Sequence, residues 1–315
     1  MSERQALILG ATGGIGGATA RRLLDGGWRV RALVRGEPMR LDPRCELVRG
    51  DARDAAAVTR AAAGTDVIVH AVNPPGYRDW AGQVLPMLDS TIAAARVTGA
   101  RVVLPGTVYN YGPDALPLVD EDAPQRPATR KGAIRVELER RLETLAASGA
   151  APVLIVRAGD FFGPGAANNW FAQGLVTPGA RPRVVRQPGH RGVGHAWAYL
   201  PDVAETIARL LDRADLPALA RYHLEGQWDA DGRQMVEAIV RVLGDPAVPI
   251  RRLPWWQLRL AALVAETPRE LMEMRYLWQR PLRLSNARLL ATLGEEPRTP
   301  LLDAVRATLA DLGCV

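Results

Sequence analysis

Seven residues near the start of the chain, Gly10-Ala-Thr-Gly13-Gly-Ile-Gly16, restrict what it can fold into. They join the apolar run at 5–10 to a helical pattern at 14–27. Gly10 permits a tight turn, Gly13 lets backbone approach a pyrophosphate, and Gly16 lets the helix pack closely on the strand. The helix start offers unpaired N–H groups and the positive end of its dipole to phosphate. Strand, glycine loop and helix in this order predict a dinucleotide site that holds Gly10, Thr12, Gly13, Gly14, Ile15 and Gly16.

Apolar runs and helical patterns keep alternating. Strands are expected at 28–35, 46–51, 66–72, 101–106 and 152–159, and helices at 54–64, 79–98 and 129–147, with a loop over 109–127. Such alternation predicts an α/β protein with a Rossmann-like doubly wound parallel sheet covered on both faces. Beyond residue 160 the periodicity weakens. Pro and Gly interrupt 163–195 and 224–315, leaving helices at 201–213, 231–243, 255–280 and 299–312. The expected division is a dinucleotide-binding domain over 1–163, to which 193–224 returns, and a smaller C-terminal substrate lobe made of 164–192 and 225–315.

Composition narrows the class. The 315 residues, 48% hydrophobic and 23% charged, suit a folded globular chain. No apolar run approaches the roughly eighteen residues of a membrane helix, and the N-terminus lacks a signal-peptide pattern. A cytoplasmic location and no membrane partner are expected. Cys45, Cys314 and four scattered histidines form neither a disulfide framework nor a metal spacing. The net charge of +6 comes from arginines scattered among acids, so nucleic acid is not an expected partner. Neither a GxSxG elbow nor a GxxxxGK[ST] loop is present.

Further cofactor contacts follow from the strand ends. Arg35 closes the second strand, where an acid would bind a ribose 2′-hydroxyl and an arginine suits a 2′-phosphate. NADP is therefore expected ahead of NAD. Asp51 and Ala52 follow the third strand at the adenine position; Asp51 reads equally well as a helix N-cap. Ala71, Val72 and Asn73 follow the fourth strand and line the cofactor.

The ordered motifs GATGGIG, RGDARD, VVLPGTVYNYG, IVRAGDFFGPG, HAWAYLPDVAET and RPLRLSNARLLATLG cover nearly the whole chain. Together they resemble an extended or atypical short-chain dehydrogenase/reductase of the NAD-dependent epimerase/dehydratase superfamily. The resemblance implies hydride transfer between nicotinamide and a carbon bearing oxygen. It also implies a Ser or Thr on the substrate oxygen and a YxxxK pair on a helix. Aligned on Tyr111-Gly112, the hydroxyl position falls on Thr107. Aligned on Glu139, the YxxxK pair falls on Lys131 and Arg135, reading KxxxR without the tyrosine.

Lys131 is the only lysine beside 39 arginines, and it falls on the position of the family acid. Arginine does not release a proton in a protein, whereas lysine does. Spacing puts Lys131 and Arg135 on one helix face, in line with Leu138 and Leu142. Arg135 then serves the ribose as a fixed cation, and Lys131, desolvated among cations, takes the acid/base role. Two other readings stand: an anchor for a substrate anion, and a solvated surface cation. Tyr109 and Tyr111 are reserve acids that also read as loop-packing residues.

His195 reads as a structural residue bordering the cleft. Asn168, Asn169, Trp170 and Phe171, with Trp255 and Trp256, are candidates for the substrate pocket. The expected activity is an NADP-dependent oxidoreductase acting on a carbonyl or alcohol carbon of a small-molecule substrate. Two alternatives are a nucleotide-sugar epimerase or dehydratase and a non-catalytic NAD(P)-binding sensor. A homodimer through two long helices follows from the resemblance alone.

Overall fold

The computed structural model describes residues 4–37, 40–74, 80–115, 117–166 and 168–315. The first half runs β1 (Gln5–Leu9), α1 (Gly14–Asp25), β2 (Arg29–Val34), β3 (Glu46–Arg49), α2 (Ala55–Ala61), β4 (Val67–His70), α3 (Trp80–Thr98), β5 (Arg101–Thr107), β6 (Leu118–Val119), α4 (Arg130–Ala147) and β7 (Val153–Ala158). The second half runs β8 (Asp160–Phe162), β9 (Val185–Gln187), β10 (His195–Tyr199), α5 (Leu200–Leu211), β11 (Leu219–His223), β12 (Gln227–Asp229), α6 (Gln234–Leu243), β13 (Ile250–Arg252), α7 (Trp255–Ala261), α8 (Glu266–Glu273), β14 (Arg283–Leu284), α9 (Ala287–Leu293) and α10 (Leu301–Asp311).

Seven parallel strands form the central sheet in the order β11-β7-β5-β4-β1-β2-β3. The order runs outward from β1 in both directions, so the crevice of a doubly wound sheet opens between β1 and β4. The two faces can be read along β1. Ala6 and Ile8 join the cluster that includes Leu23 of α1 and Ile207 of α5. Leu7 and Leu9 join the opposite cluster with Val58 of α2, Leu88 of α3 and Leu142 of α4. Alternate residues point to opposite faces, and both faces are buried, which is why the strands are apolar throughout.

A third cluster builds the C-terminal lobe around Phe171, Trp197, Trp278, Met235 and Leu309. Here the structure corrects two expectations. The single helix expected over 255–280 is α7, α8 and a 3₁₀ turn at Arg275–Trp278. Pro268 falls in the first turn of α8, where its missing N–H breaks no helical bond, so it suits the start of a new helix. The stretches expected to be irregular hold β9, β12, β13, β14 and α9, and strands β10 and β11 return before residue 224. These strands are only two to five residues long, too short to show periodicity.

Candidate active site

The glycine turn sets the site. Gly10 has φ +90°, and a Cβ there would meet the Ala71 carbonyl oxygen at 2.5 Å. A Cβ on Gly16 would lie 2.2 Å from the Gly10 carbonyl, so helix and loop touch backbone to backbone. At Gly13, whose N–H donates to the Gly10 carbonyl at 2.9 Å, a Cβ would meet only that oxygen, at 3.3 Å. Gly13 therefore opens onto the cleft, and Gly14 lines it where a Cβ would meet the Ala166 Cβ at 2.6 Å, so the cradle offers backbone to a pyrophosphate. Gly16 packs behind the loop and is not among the cleft-lining residues.

The cleft has a volume of about 730 Å³. Gly10, Thr12, Gly13, Gly14 and Ile15 form its floor, and Ala71, Val72 and Asn73 follow β4 across the crevice. Arg35, Arg40, Asp51, Ala52 and Arg53 line one end. Asp51 is not the cap of α2: Asp54 accepts from Ala56 N and Ala57 N at 2.9 and 3.1 Å. Asp51 instead pairs with Arg53 at 2.7 Å, and the Arg53 guanidinium, with a smaller contribution from Arg35, holds its carboxyl below the usual range. Arg35 is exposed and forms no ion pair among the described residues.

At the other end stand Thr107, Tyr109, Arg135 and Asp160, with Trp80, Asn168, Asn169 and Trp170 on the walls. Thr107 ends β5, and its hydroxyl accepts from Tyr109 N at 3.4 Å, capping a 3₁₀ turn over Val108–Asn110. That turn buries Val108 and Asn110 and leaves Tyr109 half-buried on the cleft. The Tyr109 hydroxyl donates to Asp160 Oδ1 at 3.3 Å, and His195 Nε2 meets Asp160 Oδ2 at 2.9 Å. The His195 ring stacks on Trp278, 3.7 Å away and 6° from parallel, and its Nδ1 lies 3.3 Å from the Leu277 carbonyl. Arg135 donates to Asn73 Oδ1 at 3.1 Å, and its guanidinium stands 5.0 Å from the Trp80 ring.

Five expected site residues lie elsewhere, among them Trp255, bonded to the Pro188 carbonyl, and Trp256, exposed on α7. Lys131, expected to face the cofactor, is 3% exposed in the first turn of α4 and is not among the cleft-lining residues. Its Nζ stands 5.9 Å from the ring of Trp80, which does line the cleft. Tyr111 is fully buried and accepts from Arg157 Nη1 at 2.9 Å; burial pushes its hydroxyl up to about 12. Phe171 packs in the lobe core against Phe162. Asp160 was not singled out in the sequence, although an acid directly after the buried run 152–159 is a visible signal.

Two buried histidines give the fold a pH signature. Burial, with Arg135 adding to it, lowers His70 to about 3, and burial with Arg157 lowers His223 to about 3. Both stay neutral when folded but take protons when unfolded. Their contribution is therefore complete above about 6.5 and is lost as pH falls toward 3. Thermal melts across this window should show stability falling by about 1.4 kcal/mol per pH unit for each histidine. A flat melting temperature from pH 7 to 4 would contradict this.

Residues 6–221 match the model of the NAD dependent epimerase/dehydratase family. A 3-diazoavenalumate denitrifying reductase from a Streptomyces species is 29% identical over 266 residues, 79% of this chain and 84% of that protein. A ceramide reductase from Caulobacter vibrioides is 37% identical over 103 residues, 31% of this chain and 32% of that one. Among solved structures, the Bordetella bronchiseptica enzyme WbmH in complex with NAD+ aligns with a TM-score of 0.73 at 20% identity, covering 98% of both chains. The UDP-glucose 4-epimerase from Thermotoga maritima with UDP-glucose aligns at 0.76 and 15% identity, again over 98% of both.

Proposed function

Because this chain belongs to the NAD-dependent epimerase/dehydratase family, we propose that it moves hydride between NADP and a carbonyl or alcohol carbon of a small molecule. One observation carries the reading. A continuous cleft joins the glycine cradle to Thr107 and Tyr109, whose turn faces the Asp160 carboxyl group. When bound, the nicotinamide supplies or takes the hydride. The chain itself holds the nucleotide, orients the oxygen and moves one proton.

The start of α1 would hold the diphosphate, and Arg135 beside Asn73 would hold ribose hydroxyls. Thr107 donates its hydroxyl to the substrate oxygen. In the reductive direction, hydride joins the carbon and the carbonyl π pair moves to oxygen. Tyr109 turns its single O–H from Asp160 Oδ1 to that oxygen and gives it the proton, and the phenolate recovers one from solvent. Asp160, held by His195, fixes the phenol. We assign the proton to Tyr109 rather than Lys131, because the phenol lines the cleft and the amine does not. Lys131 and Arg135 then serve to hold the Trp80 wall. Both relatives named above are called reductases, which supports reduction over epimerisation. The Asp160 carboxyl group is also a poor neighbour for a substrate diphosphate.

Arg35, exposed at the end of the cleft and without an ion pair among the described residues, supports NADP over NAD. Calorimetry should give NADPH about tenfold or more tighter binding than NADH, the scale of one charge-assisted contact. Arg35→Asp should abolish that preference. Equal affinities in the wild type would remove the NADP assignment. NADPH binding without oxidation across a broad carbonyl panel would favour a sensor, and isomerisation of UDP-glucose would favour an epimerase.

A further inference from the structure

Four of the most exposed large apolar side chains lie within nine residues of one another. Trp256, Leu260, Leu263 and Val264 are 65, 59, 75 and 88% exposed. Their spacing of i, i+4, i+7 and i+8 makes one helical face, which runs from α7 into the turn that follows it. The other face of α7 is anchored. Trp255 donates its Nε1–H to the Pro188 carbonyl at 2.8 Å, and its ring lies 6.0 Å from that of Trp170. The outward stripe is therefore surplus to the core, and a stripe of this kind marks an interaction surface.

The stripe itself and the strand before it carry positive charge only, and the nearest acids in sequence follow in α8 at Glu266, Glu270 and Glu273. Residues 250–264 contain three arginines and no acid. Arg251 and Arg252 of β13 are exposed, and the parallel register sets Arg186 of β9 beside Arg251. Like charges in such a pair repel each other. Neither has an ion-pair partner among the described residues, nor do exposed Arg259 and Arg269. Indole and leucine side chains flanked by uncompensated guanidinium groups match the boundary between phosphate headgroups and acyl chains.

We infer that this face docks on the surface of an anionic lipid bilayer. Trp256, Leu260, Leu263 and Val264 enter the interface, and Arg186, Arg251, Arg252 and Arg259 meet lipid phosphates. The chain lies on the membrane and does not cross it, since no helix among the described residues is long and apolar enough to span. The expectation of no membrane partner rested on hydropathy, which reports spanning helices only. The inference holds whatever reaction the cleft performs.

Co-sedimentation of the full chain with vesicles tests it. Vesicles of phosphatidylcholine mixed equally with phosphatidylglycerol should bind the protein about tenfold or more tighter than phosphatidylcholine alone, with a blue shift in tryptophan emission. The double variant Leu263→Ser/Val264→Ser should lose that binding while keeping its melting temperature and NADPH affinity. Arg251→Glu/Arg252→Glu should remove the preference for phosphatidylglycerol. Two results overturn the proposal. One is a wild type that ignores anionic vesicles. The other is a wild-type dimer by light scattering that Leu263→Ser/Val264→Ser turns into a monomer, which would give the face to a second copy of the chain.

Discussion

Tyr109→Phe is expected to lower kcat/KM for carbonyl reduction by about 10²- to 10³-fold, the usual contribution of one positioned acid. The phenol ring is retained, so the 3₁₀ turn and its Thr107 cap should survive, and NADPH affinity should match the wild type. What is removed is the hydroxyl, with its proton and its bond to Asp160. Asp160→Asn should leave a smaller loss and shift the pH profile of kcat/KM, because Asp160 acts through the phenol it orients. Lys131→Arg should keep both the turnover and that profile. The opposite pattern, with Tyr109→Phe active and Lys131→Met and Lys131→Arg dead, would return the proton to the lysine.

Arg157→Met should destabilise the fold by about 3–5 kcal/mol, the cost of leaving a buried charge without its partner. Arg157 and Glu139 are 1% and 2% exposed and bonded to each other. Arg157 also donates to Tyr111 and meets His223 Nε2 at 2.6 Å, while Glu139 accepts from Asn110 and Gln125, each at 2.9 Å. The network thus joins the turn after β5, helix α4 and strands β7 and β11. Removing the cation leaves Glu139 buried against neutral donors alone. Urea unfolding of Arg157→Met and of Arg157→Met/Glu139→Gln checks the account, since the double variant should recover part of the loss. A single variant within about 1 kcal/mol of wild type would show that the pair is not needed.

The first half of the fold was legible because its signals are local. An apolar run, a glycine turn and a helical stripe each declare themselves within a dozen residues, and β1, α1 and β4 followed from them. The lobe was harder to read. Its strands take their register from partners far along the chain, as β8 does from β10 and β9 from β13. The site divides in the same way. Glycines at the cradle are dictated by backbone contact, so spacing identifies them. Lys131 and Arg135 both stand beside the Trp80 ring, and which of them also reaches the cleft depends on tertiary packing. Spacing placed Lys131 and Arg135 on one face without revealing that only the second reaches the cleft.

The end of the chain is stitched back to its middle. The Thr299 N–H and hydroxyl donate to Asp202 at the start of α5, at 2.9 and 2.6 Å. Glu296 accepts from the backbone of Glu225 and Gly226, and Asp311 from the N–H of Gly165 beside the cleft. Leu309, Leu312 and Cys314 fill the core around Phe171. During synthesis the nucleotide half can therefore pack while the lobe still lacks its last helix. The loop at Gly165 gains its tether only once residue 311 has left the ribosome, so a chain stalled short of α10 would carry a finished cradle beside an open, sticky lobe.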